Sequence, residues 1–239
     1  MSKRIDSQRR GKGGPAFRAR KRGKESRYIS IEESKGKLLR GQVVDLLKEP
    51  GRNTIIAKIS LGEGKEFFTI APEGLFIGSE IEMGEKAGIE TGNILPLKSI
   101  PEGCPVFNIE LKPGDGGAIA RSTGIFALVV SKDSENALIK LPSGKTKSLP
   151  IESRATVGCA SGGERKEKPF VKAGKKLMQM KAKGGRLFPV TRGVAKNASS
   201  HPFGGEQHHA GKSKSVSRHA PPGRKVGQIA SKRTGRKKR

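Results

Sequence analysis

Apolar and β-branched residues fall in short alternating runs in the middle of the chain, at 42–47, 54–61, 66–71, 79–83, 106–111, 126–131, 137–141 and 156–160. Each run predicts a strand with one buried face. Turn chemistry separates them, as in Glu49-Pro50-Gly51 and in Leu141-Pro142-Ser143-Gly144-Lys145. Short strands in that rhythm predict small antiparallel barrels rather than a parallel sheet with crossover helices. Residues 92–105 carry Gly92, Pro96, Pro101, Gly103 and Pro105, a density that interrupts strand pairing and marks a boundary. The expected fold class is therefore all-β, with two barrels of about 55 residues, each a marginal core by itself.

Outside the middle the pattern disappears. Only residues 172–183 carry a helical hint, with Leu177, Met178 and Met180 placed to pack on one side of a short basic helix. The longest uninterrupted apolar run, 125–130, is far short of the roughly 20 residues a membrane span requires. The first thirty residues, studded with Arg and Lys, do not read as a secretory signal.

Charge follows the same division. Residues 1–40 hold 14 Lys/Arg against 4 Asp/Glu, residues 41–160 hold 13 against 15, and residues 161–239 hold 22 against 3. The net charge of +27 thus sits in the two ends, which lack the apolar residues needed to offset their own ordering. An excess of that size repels itself unless a polyanion neutralises it. Nucleic acid fits better than an anionic membrane, because neither a basic amphipathic helix nor a lipidation signal is present. Winding, glycine-rich basic strings suit the crevices of folded RNA better than the DNA major groove.

The candidate RNA-binding residues are cations and the glycines that let backbone approach a surface. At the N-terminal end they are Arg9, Arg10, Lys12, Gly13, Gly14, Arg18, Arg20 and Arg22. Towards the C-terminal end they are Lys172, Lys175, Lys181, Lys183, Arg186, Arg192, Asn197, His201, Gly204, Gly205, Lys212, Arg218, Arg224, Lys225, Lys232 and Arg233. Phe17, Phe170, Phe188 and Phe203 are scattered among them, placed either to stack on unpaired bases or to pack on a barrel edge.

Enzyme-like motifs are weak. Gly144-Lys145-Thr146 and Gly211-Lys212-Ser213 end like phosphate-binding loops, but Ile139 and Glu206 stand where the leading glycine belongs. His201, His208, His209 and His219 lie in a glycine-rich tail without a fixed scaffold for metal or for acid–base work. Cys104 and Cys159 are far apart and lack metal-ligand spacing, so two small buried thiols in a reducing setting are expected. Asp115 beside two glycines predicts a tight turn.

Several segments, in order and over nearly the full length, resemble one family. They include Arg10-Gly11-Lys12-Gly13-Gly14, Ala71-Pro72-Glu73-Gly74, Pro113-Gly114-Asp115-Gly116-Gly117, Lys168-Pro169-Phe170-Val171-Lys172-Ala173-Gly174, Arg192-Gly193-Val194-Ala195-Lys196-Asn197 and His201-Pro202-Phe203-Gly204-Gly205. The family is the universal large-subunit ribosomal protein two, in its archaeal and eukaryotic form. The resemblance implies a basic extension at 1–36, an OB-like barrel at 37–95, an SH3-like barrel at 96–170 and a basic extension at 171–239. It implies a structural, non-enzymatic constituent of the cytoplasmic ribosome and a primary rRNA binder. That role supports subunit association, tRNA binding and the peptidyl transferase centre region.

The implied partners are large-subunit rRNA, neighbouring large-subunit proteins and, through an intersubunit bridge, the small subunit; neither a membrane nor a small-molecule substrate is implied. No cofactor is expected, although Mg²⁺ can bridge tail and phosphate. The family's loop motif has a third glycine where this chain has Glu206. Two rival readings are a transient architectural or chaperone protein, which has no use for two well-specified barrels, and an enzyme built on the histidine-rich loop, which predicts bound metal or a histidine-dependent activity.

Overall fold

The computed structural model describes residues 4–17, 23, 25–34, 36–49, 52–62, 64–182, 188–205 and 209–235. They form two compact units, residues 21–170 and the two chain ends, 1–20 with 171–239. Helices are few and short: α1 (Asp6–Gly11), α2 (Ile31–Ser34) and α3 (Ala173–Ala182).

The larger unit is all-β. Its strands are β1 (Leu39–Lys48), β2 (Ile55–Ser60), β3 (Glu66–Ile70), β4 (Glu80–Met83), β5 (Ile94–Pro96), β6 (Pro105–Phe107), β7 (Ala127–Lys132), β8 (Asn136–Lys140), β9 (Thr146–Pro150) and β10 (Arg154–Val157). They pair in the order β3-β2-β1-β4-β5-β10-β6-β7-β8-β9, antiparallel except for the β4–β5 contact. Among the described residues the ladder stays open between β3 and β9. Bulges between Val43 and Asp45 in β1 and between Val129 and Ser131 in β7 bend the long strands.

Alternation places two main cores, with a small third cluster of Ile70, Phe107 and Ala160. Val43, Ala57, Ile59, Ile81, Met83 and Ile94 form one, and Leu95, Leu97, Ile109, Val129, Ile139 and Val157 form the other. The dividing line falls between adjacent residues of β5, so this strand lends one side chain to each. Residues 92–105 were expected to interrupt pairing, and here the structure differs. β5 lies inside them, paired with β4 and β10. Pro96 is tolerated because it ends the strand, and the ladder continues beyond it through Leu97 N–H to Ser153 O at 2.9 Å and Lys98 N–H to Ile151 O at 3.1 Å.

Two further strands depart from the sequence pattern. β9 was not expected, because its first three residues are polar and exposed and only Leu149 turns inward. β10 starts two residues before the expected 156–160 run, since its first residue, Arg154, is buried and ion-paired. The Asp115 turn is as expected: its carboxylate accepts the backbone N–H groups of Leu111, Lys112 and Gly117.

The segment before β1 is sewn to the second core by polar groups. Glu110, fully buried, receives Nη2 of Arg154 at 2.7 Å and the backbone N–H of Gly116 at 3.0 Å. Arg154 also donates to the carbonyl of Ile29 at 2.7 Å and lies over the Tyr28 ring at 5.4 Å. The Tyr28 hydroxyl donates to Asn108 O and meets Thr156 Oγ1, both at 2.6 Å. Cys104 and Cys159 are free but only partly buried, correcting the expectation of buried thiols, because each stands at a strand end rather than inside a core.

Candidate nucleic-acid interface

The unit formed by the chain ends has local order that the composition did not foretell. Its one pair of short strands is parallel, β11 (Ser215–Val216) against β12 (Gln228–Ile229). Phe203 and Val226 are buried in it, so Phe203 is a packing residue there and not a free base-stacking platform. Among the other phenylalanines, Phe170 is 42% exposed and Phe188 lies 5.5 Å from the Lys176 ammonium.

The loop at 200–205 is fixed by backbone hydrogen bonds. Ser200 and His201 donate to Asn197 O, Gly204 to His201 O at 2.9 Å, and Gly205 to Lys196 O at 3.1 Å. His201 is fixed as well, contrary to the expectation of a loose glycine loop. Its Nδ1 accepts the Phe203 N–H at 3.0 Å, and its ring lies against Gly193, where a Cβ would come within 2.2 Å of Cε1. Burial first, and the Lys196 charge second, pulls its pKa below the ordinary histidine value.

The predicted cations are overwhelmingly at the surface. Arg9, Arg10 and Lys12 are exposed on or just beyond α1, and Lys172, Lys175 and Lys181 are exposed on or beside α3. A helix is present at Ala173–Ala182, where Leu177 and Met180 are half-buried and Met178 is 72% exposed, so only part of the expected apolar side packs. Arg192, Asn197, Lys212, Arg218, Lys225, Lys232 and Arg233 are exposed, while Gly13, Gly14, His201, Gly204 and Arg224 are half-buried. Arg18, Arg20, Arg22, Lys183 and Arg186 lie outside the described residues, as do Glu206 and His208.

Two of these groups are brought together. Lys12 and Lys225 line one groove with Arg4. Asp6 of α1, the one acid before Glu25, forms an ion pair with Lys196, and that bond holds its carboxyl below the usual range.

Charge counting missed a pair of arginines on the sheet unit, Arg52 also lying 3.6 Å from the buried Glu49 carboxylate. Arg52 Nη1 donates to Ser26 Oγ at 2.6 Å, while Arg121 donates to Ser26 O at 2.7 Å and to Gly117 O at 2.8 Å. Two half-buried guanidiniums therefore share one serine. Burial, and then the Arg52 charge, lowers the Arg121 pKa. Both arginines sit in the near-neutral middle of the chain, where no run of like charge announces them.

Among the described residues no three His, Cys, Asp or Glu side chains gather as a metal site, and no helix is long and apolar enough to cross a membrane. Exposed guanidinium and ammonium groups on irregular, glycine-hinged backbone are suited to phosphates, which they position against without reading sequence. Fold and surface together define a basic all-β nucleic-acid-binding protein.

Comparison with known proteins gives that class a family. Residues 1–83 match the family model for the RNA binding N-terminal domain of ribosomal proteins L2, and residues 90–225 match the model for their C-terminal domain. The large ribosomal subunit protein uL2 of Methanothermobacter thermautotrophicus is 49% identical over 243 residues, covering 100% of both chains. That of Methanococcus maripaludis strain C7 is 53% identical over 242 residues, covering 99% of this chain and 100% of the relative. That of Methanocaldococcus jannaschii is 51% identical over 244 residues, covering 100% of both. The chain belongs to the uL2 family of ribosomal proteins, whose members are structural, RNA-binding parts of the large ribosomal subunit and not enzymes.

Proposed function

We propose that this chain is a primary rRNA binder of the large subunit, anchored by its β unit and extended into the RNA by both ends. The observation that carries the reading is the separation of charge from core: all of the net positive charge lies outside residues 41–160. Arg52 and Arg121, both bound to Ser26 with the Glu49 carboxylate beside Arg52, are placed on the sheet unit, and the 200–205 loop is held in shape by hydrogen bonds.

The resemblance supports three finer roles: contact with neighbouring large-subunit proteins, a bridge to the small subunit, and support of tRNA binding near the peptidyl transferase centre. Mg²⁺ takes part only by bridging phosphates to the tails. His201 serves there as a structural residue, since its Nδ1 is occupied as an acceptor and among the described residues no carboxylate is hydrogen-bonded to its ring.

Sedimentation of the tagged chain from lysate, at low and high monovalent salt and with or without ribonuclease, tests the reading. Migration with the large subunit should survive high salt and vanish after ribonuclease. A chain that leaves the particle at moderate salt would point to a transient factor. With about ten phosphates touched, binding to isolated rRNA should show a log–log salt slope of about −7 to −9, and a slope shallower than about −3 would contradict tail-driven binding.

A further inference from the structure

The groove between α1 and the Ala220–Lys225 turn has features that general phosphate attraction does not require. Its volume is about 550 Å³, and it is widely open to solvent. Arg4, Lys12 and Lys225 supply three cations from opposite ends of the sequence, and among the described residues no acid lines the groove. Gln8 projects into the same wall: its Oε1 is taken by the Ile5 N–H at 3.1 Å, which leaves its amide nitrogen near Gly223. Gly223 has φ +92°, and a Cβ there would sit 3.2 Å from that nitrogen, so a side chain would narrow the groove. The Asp6–Lys196 ion pair ties α1 to the C-terminal segment and keeps the nearby carboxylate away from the site.

We infer that the two chain ends together build a binding slot for one phosphate-bearing nucleotide of single-stranded RNA, gripped by Arg4, Lys12 and Lys225 and positioned by Gln8 and Gly223. The inference rests on the rRNA-binding reading above and gives it a place. Residues of both ends line the slot, so it exists only where they meet. Asp6 acts as a positioning residue through Lys196.

The test uses the full-length chain and a fluorescein-labelled hexauridine oligoribonucleotide, with anisotropy read across a salt series. The variant Arg4→Gln/Lys12→Gln/Lys225→Gln should bind about tenfold or more weakly, with a salt slope shallower by about 0.7, the share of one single-strand phosphate contact. Lys140→Gln/Lys145→Gln/Lys147→Gln removes equal charge from the sheet unit and should stay within about twofold. Asp6→Asn raises the net positive charge yet should weaken binding, because it frees α1.

Equal losses in both triple variants, tighter binding by Asp6→Asn, or no hexauridine binding by the parent chain would each overturn the slot. Failure of the parent chain to sediment with the large subunit would instead overturn the rRNA-binding reading. If the parent chain sediments with the particle while the groove variant binds hexauridine normally, the slot alone is lost.

Discussion

His201 Nδ1 accepts the backbone N–H of Phe203 at 3.0 Å, so a buried aromatic residue two positions on depends on a neutral imidazole. The ring must then carry its proton on Nε2. Burial, followed by the Lys196 charge, holds the folded pKa below the ordinary value. The folded loop binds a proton less readily than the unfolded loop, so the contribution to stability is complete above about pH 6.5 and is lost as pH falls towards the depressed value. Hydrogen exchange of the Phe203 amide, corrected for intrinsic rate, should show protection falling on acidification. Ring ¹⁵N shifts reporting the Nδ1–H tautomer would refute the arrangement. In assembled subunits, His201→Ala should disturb loop order and assembly more than single-turnover peptide transfer.

Gly193→Ala tests the same loop from its floor. The added Cβ would meet the imidazole at 2.2 Å, closer than any real contact, so either the ring or the turn must move. Overpacking of this kind costs about 1–3 kcal/mol. The expected readout is lost exchange protection at the Gly205 amide, which donates to Lys196 O at 3.1 Å. Adding His201→Ala removes the obstacle and should restore part of that protection; independent, additive losses would show that the ring and Gly193 are not in contact.

How much of this was legible beforehand depended on whether a residue's role shows in its polarity. β1 to β4, β7 and β8 announce themselves because their alternation is the burial pattern, whereas residues 106–110 are buried throughout and only Pro105–Phe107 forms β6. β5 was hidden, since three residues ending in proline carry no period and the partners that make it a strand, β4 and β10, come from distant parts of the chain. β9 was hidden because an edge strand can be polar on all but one residue. Arg154, Arg52 and Arg121 were hidden because a single cation in a neutral stretch looks solvated until its partner is seen. The basic ends were readable as RNA-seeking from charge alone, but their mutual packing, with Asp6 meeting Lys196 across 190 positions and Gln8 beside Gly223, is recorded by no local pattern.

The Glu110–Arg154 pair predicts an asymmetry. Glu110 accepts Arg154 Nη2, Nε and backbone N, together with the N–H groups of Gly114 and Gly116. Glu110→Ala strands a buried guanidinium and three backbone donors, for which about 3–5 kcal/mol is expected. Arg154→Ala leaves a carboxylate still met by backbone N–H groups and should cost less. Urea unfolding of the full chain measures both, and equal costs would contradict this account of the carboxylate.

Tyr28 offers the most direct spectroscopic test of the seam between the two cores. Its ring belongs to the first core, while its hydroxyl donates to Asn108 O and accepts from Thr156, each at 2.6 Å. Tyr28→Phe preserves the packing but leaves a buried carbonyl and a buried hydroxyl each short of a partner, at an expected cost of about 1–3 kcal/mol. Tyr28→Leu also loses ring volume and the stacked Arg154, and should cost more. Burial pushes the phenol pKa far above its ordinary value. The folded state therefore holds its proton longer than the unfolded state, and stability declines as pH rises beyond about 10. Tyr28 is the only tyrosine and there is no tryptophan, so phenolate absorbance reports this one group. Ionisation should appear only together with loss of the fold, and Tyr28→Phe should remove that alkaline component. A phenolate signal rising near pH 10 with the β-sheet spectrum intact would show that the hydroxyl is not sealed between Asn108 and Thr156.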